Sequence, residues 1–571
     1  MDLRLLEAQP TEAERAAVDA VLGGPSSGWE GGVFDEESGR ISLGGHQARA
    51  RRHLLLPALH ALRDTRGWVS EGGLGYVSTR LTVPPAEAYG VATFYALMGV
   101  EERPERVVHV CDDVVCARGS EATIAGFGDD DIEVLRSPCL GGCANPVATL
   151  IDTVGSPLTS DSPTPLVHQD RTGLRLLRNV GVVDPTSLSD YQAQGGFTAL
   201  TRARELGPEA VLDELEQSNL RGRGGAAFPL AVKWHGVRAA NGGTKHVIAN
   251  GDESEPGTFK DRVLMESDPF AVVEGLLIAA SVTGATAAWI YVRAEYPLAI
   301  DRLNAAITAT SAAGLTGIDI ELRVGAGAYV CGEETALFAS IEGLRGEPRQ
   351  KPPFPTTHGL FSQPTAINNI ETLVAVLDVV ERGGQAFAAE GTEASAGRKL
   401  FSISGDIRQP GVYEVPFGTT LGALLELAGG SDGDIGAILL GGAAGTFVTP
   451  DLLDMELSIE GTATVGATLG SGAVVVFDGS TDFGPVVRRI ASFFRDESCG
   501  KCVPCRVGTA RQEEALIRIG RGEHIGTLDD ELHLLGDIDA VMTDASICGL
   551  GRTAAAAVRS AIALGLPGVV A

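Results

Sequence analysis

The chain has 571 residues, of which 44% are hydrophobic, 5% are aromatic and 74 are glycine. This length predicts roughly three or four domains, and the glycine content predicts tight turns and close backbone contacts rather than disorder. The formal net charge of −29 repels phosphate backbones and anionic lipid, so nucleic acid is not an expected partner. The first residues carry no secretory signal, and we expect a cytoplasmic protein.

The N-terminal part of the chain predicts an extension followed by an α/β domain. Residues 1–45 form the extension, with one predicted helix over Glu12–Leu22. Over 46–155, two predicted helices precede two strand-like runs, so this stretch is expected to be an α/β domain. These elements are the helices Gln47–Arg63 and Pro84–Leu97 and the strands Arg106–Cys111 and Ile132–Leu135. Residues 156–175 are rich in Ser and Pro and predict a linker.

Residues 176–397 predict a second α/β domain with a mixed or parallel sheet, because apolar strand-like runs alternate with helical ones. The strands are Lys245–Ala249 and Ala288–Val292, and the helices are Glu209–Ser218 and Ala299–Thr308. Within it, Val272–Val292 is long enough to cross a bilayer. Glu274 interrupts this run, so we expect a buried helix followed by a strand, and no direct membrane insertion.

The last two domains are predicted from a change in period. Residues 398–482 predict a small β-containing module around a helix at Leu421–Ala428. Its strands are Lys399–Ser404, Gly411–Val415 and Ala473–Phe477. Residues 483–571 have helical spacing and end in the run Ala554–Leu564, so a helical bundle is expected there.

Eight of the nine cysteines fall into two sets of four. The first set is Cys111, Cys116, Cys139 and Cys143, with each pair just after a predicted strand. Structural zinc usually takes the shorter two-residue spacing, whereas the Leu-Gly-Gly loop before Cys143 is small enough to wrap inorganic sulfide. The spacing favours a [2Fe–2S] cluster, with zinc or ordinary buried thiols as the alternatives.

The second set is Cys499, Cys502, Cys505 and Cys548. Three cysteines at two-residue intervals hold three corners of a cubane, and a distant fourth completes it. Zinc favours two pairs instead, so this set predicts a [4Fe–4S] cluster. The ninth cysteine, Cys331, is interpreted as a packed thiol.

Three glycine- or acid-rich segments predict a nucleotide cofactor site. In Arg221–Pro229, Gly222 and Gly224 free backbone N–H groups, while Arg223 and nearby Lys233 supply positive charge for a phosphate. A purely structural turn is the alternative for this segment.

The segment Asn250–Gly257 follows a predicted strand and offers an amide and three acids. These are Asn250, Asp252, Glu253 and Glu255. They suit a flavin ring edge, a ribityl chain or a ribose at the carboxyl end of a strand. A metal site and a solvated acidic loop are the alternatives.

A third group mixes acids, a cation, an aromatic ring and amides, as expected around a nucleotide. It comprises Gly332, Glu333, Glu334, Lys351, Phe354, Asn368 and Asn369. The two glutamates come at a predicted helix start. Singly, none of these residues decides the ligand.

Four segments together resemble the NADH-binding flavoprotein subunit of respiratory complex I and its soluble relatives, over about 176–565. They are Arg221–Pro229, Asn250–Asp261, Gly327–Thr335 and Glu497–Cys505. The cysteine domain, with Val91–Tyr95 upstream of its thiols, resembles the small thioredoxin-like [2Fe–2S] subunit of the same systems, here fused. The resemblance implies a multidomain α/β and α+β protein with a thioredoxin-like [2Fe–2S] domain, an α/β FMN/NAD(H) domain, a β-grasp-like (SLBB) module and a helical [4Fe–4S] domain.

Fusion of the two parts points to diaphorase subunits of soluble NAD-dependent formate dehydrogenases or NAD-reducing hydrogenases. The stretches Arg495–Cys499 and Asp544–Gly551 look especially like the β subunit of molybdenum- or tungsten-dependent formate dehydrogenase. The implied partner is a catalytic subunit with molybdenum or tungsten, or with nickel and iron, that carries further clusters. An NADH-input subunit of complex I is an alternative, and a redox-silent zinc scaffold is an alternative of another class.

By the resemblance, FMN sits among Gly222, Arg223, Gly224, Lys233, Asn250, Asp252, Glu253, Gly332, Glu333, Asn368 and Asn369. NAD(H) is bordered by Phe228, Glu255, Glu334, Lys351 and Phe354, with Glu255 and Glu334 positioning the nicotinamide and no protein nucleophile required. Two departures from the family pattern concern the NAD(H) contacts. Ala227 replaces a usual glycine, and His235-Gly236 follows Trp234.

Overall fold

The computed structural model describes residues 8–25, 50–128 and 131–570. Most of the predicted extension, including the turn expected after Pro25, lies outside these ranges, as does the start of the helix expected from Gln47. The described residues form four domains, each named below by its residues.

The cysteine domain (12–160) has five helices and a four-stranded sheet of order β2-β1-β3-β4. The helices are α1 (Glu12–Leu22), α2 (Leu55–Arg66), α3 (Glu71–Leu81), α4 (Pro85–Ala92) and α5 (Ala117–Gly126). The strands are β1 (Arg106–Cys111), β2 (Ile132–Ser137), β3 (Thr149–Thr153) and β4 (Thr159–Ser160). A single 3₁₀ turn, Arg52–Leu54, precedes α2.

Two features of this domain differ from the sequence expectation. The extension's helix α1 packs on α2, with Val18 and Leu22 buried, so it joins this domain's core. Helix α4 ends at Ala92 rather than Leu97. Beyond it the backbone turns to the second domain, where the N–H of Leu97 donates to the carbonyl of Ala326 at 3.1 Å. The sheet also continues into the predicted linker, since β4 pairs antiparallel with β3.

The parallel-sheet domain (188–388) has strand order β7-β6-β5-β8, with every pairing parallel. Its strands are β5 (His246–Gly251), β6 (Ala287–Val292), β7 (Ile320–Val324) and β8 (Thr365–Asn369). Its helices are α6 (Leu188–Ala193), α7 (Thr198–Leu206), α8 (Pro208–Gln217), α9 (Leu230–Ala239), α10 (Lys260–Ser267), α11 (Pro269–Thr283), α12 (Pro297–Ala312), α13 (Glu334–Ile341), α14 (Pro355–His358), α15 (Ile370–Arg382) and α16 (Gly384–Ala388). Short 3₁₀ turns cover Tyr329–Gly332 and Leu360–Ser362.

The apolar run is a buried helix, α11, followed by strand β6, as expected. The carboxylate of Glu274 inside α11 accepts the hydroxyl of Tyr191 at 2.7 Å and the backbone N–H groups of Phe197 and Leu200 at 2.8 and 2.9 Å. Such full satisfaction lets an acid lie in an apolar core. None of the helices in the described ranges has the length and apolar character needed to cross a membrane.

The small β domain (398–478) has a five-stranded sheet of order β10-β9-β13-β11-β12, in which only β9 and β13 pair in parallel. Its strands are β9 (Arg398–Gly405), β10 (Gly411–Pro416), β11 (Ile435–Leu440), β12 (Thr446–Val448) and β13 (Ala473–Asp478). Its helices are α17 (Leu421–Leu427) and α18 (Ile459–Ala463), with a 3₁₀ turn at Pro450–Leu452. The Ile438 and Leu440 side chains are fully buried in its core.

The C-terminal helical domain (483–563) contains α19 (Phe483–Asp496), α20 (Val503–Arg521), α21 (Leu528–Ala545), α22 (Gly549–Thr553) and α23 (Ala556–Ala563). The run expected over Ala554–Leu564 begins two residues later as α23, because α22 ends at Thr553. The loop between α19 and α20 carries two of the second set's cysteines, and Cys505 follows in the first turn of α20.

Candidate functional site

The carboxyl edge of the parallel sheet gathers the predicted cofactor segments. Parallel strands end at one edge, where α/β folds bind ligands. The acidic loop (Asn250–Gly257) begins at the end of β5, Gly325 follows β7, and Asn368 and Asn369 end β8. The loops touch, because the side-chain amide of Asn250 donates to the carbonyl of Gly332 at 2.9 Å.

The glycine-rich loop (Arg221–Pro229) closes on itself and lies against β8. The N–H of Gly222 donates to the carbonyl of Phe228 at 3.0 Å. A Cβ on Gly224 would come within 3.1 Å of the Asn369 Cβ, so the backbone approaches where no side chain fits well. Ala227 has φ of 51°, a left-handed conformation that glycine adopts more easily. The loop therefore keeps the glycine-type geometry at the position where the sequence departs from the family.

The Arg223 side chain is committed to the protein interior. The backbone N–H of Arg223 donates to the hydroxyl of Thr372 at 2.8 Å, and its guanidinium donates to the carbonyl of Ala396 at 2.8 Å. The guanidinium also lies 4.5 Å from the ring centre of Phe417. With 2% of the residue exposed, Arg223 shapes the loop, whereas its charge faces away from solvent.

A cluster of two lysines and two glutamates stands at the start of α13. Glu333 caps the helix by accepting from the N–H of Thr335 at 2.8 Å. The Lys351 ammonium contacts Glu333 at 3.0 Å and also Glu334, which lies 3.9 Å from Lys233. Burial lowers the pKa of Lys233, while the two glutamates raise the pKa of Lys351 against the effect of burial. These charges balance, so the cluster can bind polar parts of a ligand without an unpaired buried charge.

The acids of the acidic loop have different tasks. Glu253 caps α10, since its carboxylate accepts the N–H groups of Asp261 and Arg262 at 2.8 and 2.9 Å. It is therefore occupied by protein, and burial together with Asp261 raises its pKa to about 8. Asp252 keeps one buried carboxylate oxygen without a partner among the described residues, and burial raises its pKa to about 7. An orphaned buried oxygen in this position fits a polar cofactor edge.

Glu255 joins three parts of the molecule. Its carboxylate accepts the hydroxyl of Tyr329 and, at 2.7 Å, the N–H of Ala444 in the small β domain. Burial raises the pKa of Glu255 to about 7. The N–H of Tyr329 donates in turn to the carboxylate of Glu497 at 2.8 Å, two residues before the first cysteine of the second set.

The small β domain completes the site, and sequence reasoning missed this. The Lys399 ammonium donates to the carbonyls of Arg223 and Ser471 at 3.3 and 3.1 Å. The hydroxyls of Thr258 and Ser471 are in hydrogen-bond contact. The run Gly441-Gly442-Ala-Ala444-Gly445 is a glycine-rich signal that could have found the contact to Glu255.

The remaining predicted residues lie around the same edge. The Asn368 carbonyl accepts from the Trp234 indole N–H at 2.9 Å, and the Asn369 amide donates to Asp261 at 2.6 Å. Phe228 is 49% exposed and Phe354 is 58% exposed, which is unusual for such large apolar rings. Exposed aromatic rings at the rim of a polar cleft suit the stacking of a planar ligand.

The first four cysteines form a deep cysteine set inside the protein. Cys111 ends β1, Cys116 precedes α5, and Cys139 and Cys143 flank a loop and bring their sulfur atoms to 3.4 Å from each other. None of the four is more than 3% exposed. The chain thus collects four buried thiols with few competing polar groups, as a small cluster requires. No group of three or more His, Cys, Asp or Glu side chains in the described ranges is arranged for a lone metal ion.

The other four cysteines form a surface cysteine set around one small cavity. That cavity is lined by Val330, Pro348, Ser498, Cys499, Lys501, Cys502, Cys505, Ile547, Cys548 and Leu550. Burial raises the pKa of Cys505 to about 12 and that of Cys548 to about 11, so without iron these thiols keep their protons. Bound iron is what favours the thiolates, and four cysteines lining one cavity fit a cubane cluster.

Comparison with known protein families identifies every domain. Residues 43–169 match the thioredoxin-like [2Fe–2S] ferredoxin family, and 215–378 match the Nuo51 FMN-binding domain. Residues 400–434 match the SLBB domain, and 485–564 match the NADH-ubiquinone oxidoreductase-F iron–sulfur binding region. The first match extends past 155, in keeping with β4.

Among similar proteins, an NADH-quinone oxidoreductase subunit of Rhizobium meliloti (strain 1021) is 42% identical over 400 residues, which cover 68% of this chain and 94% of that protein. This chain belongs to that family of flavoproteins. NADP-reducing hydrogenase subunit HndC of Solidesulfovibrio fructosivorans is 40% identical over 66% of this chain and 78% of its own length. A solved chain of an NAD⁺-reducing [NiFe]-hydrogenase in the air-oxidised state aligns with a TM-score of 0.79 and 33% identity, over 90% of this chain and 93% of that one.

Family membership confirms the fold class and the cofactors predicted from sequence. The chain is a multidomain oxidoreductase subunit that acts on NAD(H) with FMN, a [2Fe–2S] cluster and a [4Fe–4S] cluster. The matched iron–sulfur regions settle the choice between clusters and zinc that spacing alone left open. Complex I-like and hydrogenase relatives are both represented, whereas a formate dehydrogenase is not among the relatives described above.

Proposed function

We propose that the chain is the NAD(H)-reactive diaphorase subunit of a cytoplasmic NAD-dependent formate dehydrogenase. It exchanges electrons with a catalytic subunit that carries molybdenum or tungsten and further iron–sulfur clusters. The observation that supports a diaphorase is the contact of one flavin-type pocket with both cysteine sets. Arg293 bridges the acidic loop to Cys139, while Tyr329 bridges it to Glu497 near Cys499.

When bound, FMN accepts a hydride from the nicotinamide and gives up electrons singly, which is why clusters must be near. The residues of this chain bind and orient. We assign the phosphate to the glycine-rich loop, whose N–H groups can approach an anion. Asp252, with its orphaned oxygen, is assigned to a polar edge of the cofactor.

Glu255 is assigned to hold a proton beside the reacting ring. With a pKa of about 7 it exchanges protons near neutral pH, and its carboxylate already accepts the Tyr329 hydroxyl. An acid with a pKa close to the working pH is suited to proton transfer. Glu334, Lys351, Phe228 and Phe354 are assigned to the nicotinamide and ADP parts of NAD(H).

The assignment to formate rests on two stretches beside the surface cysteine set, Arg495–Cys499 and Asp544–Gly551, which look like those of formate dehydrogenase β subunits. A hydrogenase diaphorase is the second candidate. The match to 93% of a chain from an NAD⁺-reducing [NiFe]-hydrogenase supports it, because that match covers 90% of this chain, cysteine domain and flavin domain together. An input subunit of a complex I-like enzyme is the third, supported by the relative from Rhizobium meliloti.

The deciding experiment is the metal content of the native complex. The tagged chain is purified anaerobically with its partners, and molybdenum, tungsten and nickel are measured alongside formate- and hydrogen-dependent NAD⁺ reduction. Molybdenum or tungsten with formate activity supports the proposal. Nickel with hydrogen activity assigns the hydrogenase role instead, and absence of all three metals with quinone-linked NADH oxidation assigns the complex I-like role.

A further inference from the structure

Arg293, the residue after β6, lies where the deep cysteine set meets the acidic loop. One arm of its guanidinium donates to the carbonyl of Glu253 at 2.7 Å, and another donates to the carbonyl of Cys139 at 2.7 Å. Only 4% of the residue is exposed. A single buried cation therefore holds a cluster-binding loop and a flavin-binding loop in fixed relation.

Glu295 balances this cation. Its carboxylate lies 2.7 Å from the Arg293 guanidinium, and its second oxygen is buried without a partner among the described residues. The pair carries no net charge, but its two ends act separately on nearby groups because little water intervenes.

Two other charged pairs face the same loop. Arg262 donates to the carbonyl of Gly141 at 3.2 Å and pairs with Glu266 at 2.8 Å. From the opposite side, the Asp113 carboxylate accepts the N–H of Cys139 at 3.1 Å and lies 3.6 Å from Arg489. Each pair is neutral as a whole. Arg293 differs from the other two cations because it contacts a cysteine residue itself and the acidic loop at once.

We propose that Arg293 and Glu295 are positioning residues that set the reduction potential of the [2Fe–2S] cluster while fixing its loop against the flavin site. A reduced cluster carries one more negative charge than an oxidised one. A nearby cation stabilises the reduced form and a nearby anion opposes it, and cluster potentials follow local charge and hydrogen bonding. The proposal concerns the chain's own cofactors and goes beyond the choice of catalytic partner.

The test is an EPR-monitored redox titration of the anaerobically prepared full chain, with both clusters followed in the same sample. Arg293→Gln should lower the [2Fe–2S] potential, and Glu295→Gln, which keeps the side-chain shape, should raise it. A tenfold change in the electron-transfer equilibrium corresponds to 59 mV for one electron, and we expect each single variant to reach about that size. The [4Fe–4S] potential should stay constant and serves as the internal reference.

The double variant, Arg293→Gln with Glu295→Gln, separates charge from structural damage. Opposite charge effects cancel, so its [2Fe–2S] potential should return towards that of the unsubstituted chain, whereas structural damage would accumulate. Arg293→Lys should shift the potential less than Arg293→Gln, because the charge remains. If Arg293→Gln does not retain its cluster, Glu295→Gln alone decides.

The proposal is overturned if the two single variants shift the potential in the same direction, or if neither shifts it. It is also overturned if the double variant deviates further than either single one. Absence of any [2Fe–2S] signal in the unsubstituted chain would instead contradict the cluster assignment, so the two failures are distinguishable.

Discussion

The two cysteine sets hold clusters in opposite surroundings. The deep cysteine set has no thiol more than 3% exposed, and its loop is covered by arginines from the parallel-sheet domain. In the surface cysteine set, Cys499, Cys502 and Cys548 are partly exposed. Apolar side chains stand beside them in solvent, with Val503 58% and Val507 45% exposed.

This difference separates two roles that spacing alone could not distinguish. A cluster enclosed on all sides exchanges electrons only within its own chain, so the deep set belongs with the flavin. A cluster at the surface can pass electrons outward. The comparison therefore makes the surface set the route to a partner, and each prediction below can break or sharpen that contrast.

The largest expected effect is from Cys502→Ala in the surface set. Loss of a cluster ligand should lower electron transfer to the partner by about 100-fold or more. Reduction of FMN by NADH should continue, because the flavin site is built from other residues. Stopped-flow bleaching of the flavin and partner-linked turnover measure the two steps separately.

Val507→Ser, two residues beyond Cys505, is the control for this variant and should keep partner-linked turnover. Full partner activity in Cys502→Ala would mean that electrons leave by another route, and the contrast between the two sets would be lost.

Two glycines, one in each cysteine loop, provide a matched pair. Gly141 has φ of 69°, and a Cβ there would lie 2.2 Å from the Tyr296 hydroxyl oxygen. Gly500 has φ of 75°, but a Cβ would meet only Arg506 at 3.9 Å. Gly141→Ala should therefore destabilise the fold by about 2–5 kcal/mol, from strain plus overpacking, and Gly500→Ala by about 1–2 kcal/mol, from strain alone.

Thermal unfolding and iron content measure both variants. We expect Gly141→Ala to lose [2Fe–2S] signal and Gly500→Ala to keep both clusters. Equal destabilisation of the two variants would show that the deep loop is not held as tightly as its contacts indicate.

A smaller effect is expected from pH at Glu255, which connects the flavin pocket to the loop of the surface set through Tyr329 and Glu497. Burial raises the pKa of Glu255 from 4.5 to about 7, so the folded chain keeps a proton that the unfolded chain releases. Its contribution to stability is full below pH 4.5 and is lost as the pH rises to about 7.

The thermal midpoint of the unsubstituted chain should therefore fall more between about pH 5 and pH 7 than that of Glu255→Gln, and the two curves should run parallel above about pH 7. The comparison with the variant isolates Glu255 from the other buried acids, Asp252 and Glu253. Identical slopes for the two proteins would contradict the raised pKa.

The smallest effect is expected from Val507→Ser on the isolated chain. An exposed side chain contributes little to folding, so the free energy of unfolding should change by less than about 0.5 kcal/mol. Chemical denaturation measures this value. A loss of several kcal/mol would mean that the valine is packed in solution and that the surface set is less open than it is in the structure.

Features that depend on local sequence were predictable. Strand Arg106–Cys111 has the expected bounds because its apolar residues and its turn are neighbours in the chain. The eight thiols come together in the two expected sets because cluster ligands follow fixed spacings. The acidic and glycine-rich loops meet at one edge because parallel strands end together.

Features that depend on distant partners were not predictable. Arg223 was expected to offer its charge to a ligand, yet its guanidinium bonds to Ala396, 173 residues away. Glu255 meets the N–H of Ala444, 189 residues away. No periodicity or spacing encodes such contacts, since they arise only when the small β domain packs on the parallel sheet.

The cover over Cys139 has a consequence for biosynthesis. Arg293, which bonds to the Cys139 carbonyl, is 154 residues further along the chain. At roughly 5–20 residues per second, the ribosome needs about 8–30 s to reach it after the cysteine loop has been made. During that interval the nascent thiols have no lid, so assembly factors can deliver iron and sulfide most easily before translation of the second domain is complete.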